Sequence, residues 1–157
     1  MLSRDDLENF KNRFGALNPI KLEQSASQVD TLAIFDAAKT SLFDDRALGL
    51  DIFVILSRIK GIWTTKSDDD VYGVLLDFYF NHNLPKGEKI SCLRCLANIP
   101  LQNQATAISH FASFADQFSC HIKEINMEYT FEQFIFLRIV VLGNLLLTYL
   151  SWIFNTI

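Results

Sequence analysis

The chain has 157 residues, half of them apolar and 20% charged, which suffices for one domain (residues 1–157) with a packed core and excludes a disordered linker. Fourteen Phe against six Gly and three Pro favour regular structure with few special turns. A formal net charge of −4, with no basic block, argues against a nucleic-acid binder.

Ser3 followed by Asp5 and Asp6 reads as a helix N-cap with acids in the first turn. Leu7, Phe10 and Phe14 recur at helical spacing, and Asn18-Pro19 closes that segment. Lys21 to Ser27 is polar and reads as a loop. A second helix is predicted from Gln28 to Phe43, with Val29, Leu32, Ile34, Phe35 and Ala38 on its apolar face. Asp44-Asp45 caps a third, Ala47 to Trp63, which is apolar on most sides and so belongs between two layers. Ser67 with Asp68, Asp69 and Asp70 starts a fourth, striped by Val71, Val74, Leu75, Phe78 and Tyr79, and Asn81 to Gly87 ends it. A fifth runs from Glu88 to Ile99 and stops at Pro100. A sixth covers Gln102 to Phe118, and the last runs from Thr130 towards Phe154. No segment alternates apolar and polar residues between turn signals, so the fold class is all-α, with short connections that favour antiparallel neighbours.

The N-terminal MLSRDDLENF is charged early and lacks the apolar core of an export signal. Three cysteines, Cys92, Cys95 and Cys120, are an odd, low count that fits a reducing compartment, the cytoplasm and also the nucleus. Cys92 and Cys95 form a C-x-x-C without a second pair, and the spacing to His110, Cys120 and His121 is irregular. The pair therefore reads as two small packing residues, not half a zinc site. His82, His110 and His121 have no nucleophile motif beside them, and no phosphate loop or dinucleotide fingerprint occurs. A non-enzyme without cofactor is the expectation. The 19 residues from Ile139 to Ile157 carry no charge, close to the roughly 20 that span a bilayer. Asn144, Thr148, Ser151 and Asn155 within them, and no basic residue after them, favour a core helix over a tail anchor.

Three apolar segments share a local form: Ile52 to Ile59, Ser91 to Ile99 and Ile139 to Leu147. Aligned on Leu56-Ser57-Arg58, Leu96-Ala97-Asn98 and Leu142-Gly143-Asn144, they repeat after 40 and then 46 residues. That is the period of armadillo and HEAT repeats, and it predicts an α-solenoid of about four helical hairpins. Leu-Ala-Asn and Leu-Gly-Asn resemble the end of the third armadillo helix, which in that family lines a concave groove. The segment order also resembles the PUL domain, the armadillo-like C-terminal domain of phospholipase A2-activating protein and its yeast relatives in ubiquitin metabolism. The matching pieces are Leu2 to Leu7, Gln28 to Leu32, Leu50 to Phe53, Asn83 to Gly87, Cys92 to Asn98 and Leu142 to Asn144. The family's domain is longer, and Val54 stands where the family has an Arg, with Arg58 one turn later.

The resemblance implies an adaptor that docks the acidic C-terminal tail of the hexameric AAA segregase, valosin-containing protein. It assigns partner binding to Arg94, Asn98 and Asn144, and further to Arg58 and Lys60. Arg forks match carboxylates and Asn amides can hold an extended backbone. Two other readings stand beside it: a small helical immunity or inhibitor protein that covers one partner's surface, and a tail-anchored membrane protein. A repeat that ends on a helix as apolar as the last one also predicts self-association.

Overall fold

A computed structural model describes residues 2–66, 69–103, 105, 110 and 117. Among them are seven helices and no strand: α1 (Arg4–Phe14), α2 (Pro19–Ala26), α3 (Thr31–Asp44), α4 (Arg46–Leu56), α5 (Lys60–Thr65), α6 (Val71–Asn81) and α7 (Lys86–Gln102). The all-α expectation holds for this region. None of these helices is long and apolar enough to cross a membrane, and Ile139 to Ile157 lies outside the described residues. The predicted last helix lies there too, as does most of the sixth.

Local chemistry starts the first helices. Ser3 Oγ accepts from the Asp6 amide at 3.2 Å while the Ser3 amide donates to Asp6 Oδ2 at 2.7 Å, a complete capping box. Asn18-Pro19 opens a helix instead of only closing one. Asn18 Oδ1 accepts from the Lys21 amide at 2.9 Å, and Pro19 occupies the first turn, where no N–H is needed. Residues 21–27 are thus mainly helical, not a loop. With only Leu22 and Ala26 buried, the segment carries too short an apolar stripe to be read from periodicity.

Helices α3 and α4 form an antiparallel pair around the single residue Asp45. They approach closely at Gly49, where a Cβ would lie 2.8 Å from the Leu42 amide nitrogen. Farther along, Phe35 meets Phe53 edge-on at 5.3 Å and Trp63 at 5.5 Å. Phe35 and Phe53 are fully buried, and each contributes about 1.5–3 kcal/mol through apolar burial.

The predicted third helix, Ala47 to Trp63, is broken into α4 and α5. Glu23 Oε1 takes the Lys60 amide at 2.7 Å, and the Trp63 indole donates to the Leu56 carbonyl at 2.8 Å. Two side chains thereby satisfy the groups that a continuous helix would have paired. The fourth helix begins at Val71, with Asp70 ahead of it making no side-chain cap.

Helix α7 begins at Lys86 and passes through Pro100 to Gln102, where the sequence predicted a stop. A proline at position 100 has no N–H for the Leu96 carbonyl. The buried Tyr72 hydroxyl donates to that carbonyl at 3.0 Å instead.

The helices recur. Helices α2, α3 and α4 start at Pro19, Thr31 and Arg46; α5, α6 and α7 start at Lys60, Val71 and Lys86, which are 41, 40 and 40 residues later. Helix α1 precedes α4 by 42. Lys11 pairs with Asp51 at 3.0 Å and Arg4 with Asp45 at 3.1 Å, joining α1 to α4. Arg46 pairs with Glu88 at 2.7 Å and Ser57 with Asn98 at 3.3 Å, joining α4 to α7. These partners lie 40 to 42 residues apart, so α1, α4 and α7 run parallel and in register.

Candidate functional site

The solvent side of α1, α4 and α7 is one continuous face. Its α4 stripe is Ala47, Asp51, Val54 and Arg58, and its α7 stripe is Ser91, Arg94 and Asn98, at the three- and four-residue spacing of one helix side.

Arg94 is exposed midway along α7, one turn before Asn98. Asn98 is half-buried and its Nδ2 donates to Ser57 Oγ at 3.3 Å. Ser57 is fully buried and donates in turn to the Val54 carbonyl at 2.7 Å. Asn98 does not terminate its helix, because α7 continues for another turn to Gln102. Arg58 follows the end of α4, half-buried, with Nη1 donating to the Leu17 carbonyl at 3.3 Å. Its Nε is buried with no hydrogen-bond partner. Lys60 is exposed just beyond, at the start of α5. Asn144 lies outside the described residues.

Arg58 and Asn98 are thus brought together at the Ser57 junction, with Arg94 on the same side of α7. Their register differs by one residue from the alignment of the repeats. The side-chain bonds join Leu17 to Arg58 and Ser57 to Asn98, each pair 41 apart, so Arg58 and Asn98 are neighbours in a staggered row.

Sequence reasoning missed the acids on this face. Asp51 and Glu88 border a shallow pocket of about 330 Å³ between the first halves of α4 and α7, with Ala47, Gly87 and Ser91. Hydrogen bonding to Asp51 raises the Lys11 pKa above its ordinary value. The signal lay in the sequence as opposite charges about 41 residues apart, Lys11 with Asp51 and Arg46 with Glu88. The face is therefore mixed in charge at its α4 and α7 N-terminal edge and basic at the other, where Arg58 and Lys60 stand.

Cys92 and Cys95 point to different neighbours. Cys92 Sγ donates to the Leu75 carbonyl of α6 at 3.1 Å, while Cys95 Sγ lies 4.0 Å from the Leu50 carbonyl of α4. Burial pushes the Cys92 thiol up to about 12 and raises Cys95 well above its ordinary range. Both are neutral thiols between layers, the state least able to act as nucleophile or metal ligand. Among the described residues no group of three or more His, Cys, Asp or Glu side chains is placed to hold a metal ion.

No protein-family model matches the sequence, and neither the curated proteins nor the solved structures contain a match to it.

Proposed function

We propose that this chain is an armadillo-like α-solenoid of about four helical hairpins, an adaptor that binds an extended protein segment across α1, α4 and α7. The observation that carries this reading is the recurrence of three helices after 40 to 41 residues, with like helices parallel and in register. Stacked repeats of that kind make one long face from short local units.

The segment we assign is an acidic tail, the C-terminus of the AAA segregase, in ubiquitin-dependent degradation in the cytoplasm. The likeness to PUL domains supports this, as does the placement of Arg94, Arg58 and Lys60 towards one side of the face. Arg94 offers a planar fork to a carboxylate. Asn98, already held by Ser57, is oriented to pair with a backbone amide or carbonyl. Arg58 Nε supplies a buried donor that lacks a partner, a group whose burial is costly until something accepts from it.

Fluorescence anisotropy with a labelled segregase C-terminal peptide tests the proposal. Saturable binding is expected that weakens with added salt and drops about tenfold or more in Arg94→Glu. A peptide that does not bind, or binds Arg94→Glu equally well, removes the assignment.

A further inference from the structure

Helix α3 has neighbours on two sides and a vacancy on a third. It packs on α4 through Phe35, and towards α6 through Phe43, which meets Phe78 edge-on at 5.9 Å, and Lys39, which reaches Asp69 at 2.8 Å. On its remaining flank, between α3 and the outer side of α1, lies a groove of about 380 Å³. Phe10, Phe14, Val29, Ala33 and Ile34 line it, with Asn9, Arg13 and Asp30 among its polar rim.

The repeat says what shape belongs there. Helix α6 lies beside α3, and α3 is the antiparallel companion of α4. Helix α1 stands one period before α4 but has no antiparallel companion of its own among the described residues. The groove occupies the position of that companion. A helix seated there stands to α1 as α3 stands to α4, and to α3 as α3 stands to α6.

Charge follows the same rule. Lys39 of α3 meets Asp69, just ahead of α6. Asp30 stands just ahead of α3, exposed on the groove rim. We propose that the groove between α1 and α3 docks an amphipathic helix from another protein, antiparallel to α1, with a Lys or Arg opposite Asp30. Its apolar side is the α3 pattern of anchors at i, i+4 and i+8, as in Ile34, Ala38 and Leu42. This surface is separate from the face assigned to an acidic tail. It rests on the helix recurrence alone, and loss of tail binding leaves it untouched.

The test uses the whole chain and, as probe, a helix-stabilised, fluorescent peptide of residues 30–45, which carries both the α3 anchors and Lys39. Saturable binding in the micromolar range is expected, weakened about tenfold in each of two groove-filling variants, Ala33→Trp and Asn9→Trp. Asn9 is exposed, so its substitution leaves folding intact even where that of Ala33 does not. Asp30→Asn retains a capping oxygen for the Ala33 amide and is expected to weaken binding about threefold, and not at all for a Lys39→Ala peptide. A peptide that fails to saturate, or that binds both Trp variants normally, overturns the proposal. So does self-association of the chain alone that Asn9→Trp abolishes, which assigns the groove to a second copy.

Discussion

Tyr72 and Pro100 are coupled through one carbonyl, and the coupling has a measurable size. Tyr72→Phe removes the hydroxyl that satisfies Leu96 O, at 3.0 Å in the buried core. Because residue 100 is Pro, no helix amide can replace it. The orphaned carbonyl costs about 1–3 kcal/mol. At about 2 kcal/mol, Tm falls by about 4–8 °C for a chain of this length. Pro100→Ala supplies the missing N–H. In that background Tyr72→Phe costs about 0.5 kcal/mol, leaving a coupling energy of about 1–2 kcal/mol. Urea denaturation of the wild type, both single variants and the double variant measures it directly. If Tyr72→Phe costs the same with Pro or Ala at position 100, the hydroxyl is not what lets α7 continue past the proline.

Gly49→Ala places a Cβ within 2.8 to 3.1 Å of three α3 backbone atoms. The clash outweighs a helix-propensity gain of about 1 kcal/mol, so a net loss of about 1–3 kcal/mol is expected in thermal melts. Gly87→Ala meets nothing within 4 Å and is expected to be neutral or stabilising. Glu23→Ala frees the Lys60 amide at the start of α5 and is expected to cost about 1 kcal/mol in urea titration, where Glu23→Gln retains an acceptor. Alkali is expected to destabilise the fold. The Cys92 thiol is pushed from 9.0 to about 12 by burial, so its contribution is complete below pH 9 and is lost as pH rises through about 12. Tyr72 shifts in the same direction, also through burial. Cys92→Ser flattens the fall in stability above pH 9; an unchanged profile means the thiol is not buried as described.

The apolar stripes of α1, α3, α4, α6 and α7 were legible because each is long enough to show its period. Leu7, Phe10 and Phe14 all reach the core, as do Phe78 and Tyr79. Every boundary that was missed depends on a partner far away in sequence. Glu23 and Trp63 break the predicted third helix, and Tyr72 extends the fifth past its proline. Helix α2 escaped notice because an N-cap and a proline carry it, with two apolar anchors only. On the candidate face, Arg94, Asn98 and Arg58 could be named from local pattern. The Ser57 bond to Asn98 and the paired acids Asp51 and Glu88 could not, since they follow from a 41-residue register that emerges when α4 is set against α7.

Chemical-shift mapping of the acidic segregase peptide onto the labelled chain tests the binding face most directly. The account predicts shifts that cross the parallel helices, at Arg58 and Lys60 and at Arg94 and Asn98, while the outer surface of α3 and α6 stays silent. Shifts confined to that outer surface, or none at saturating peptide, contradict it.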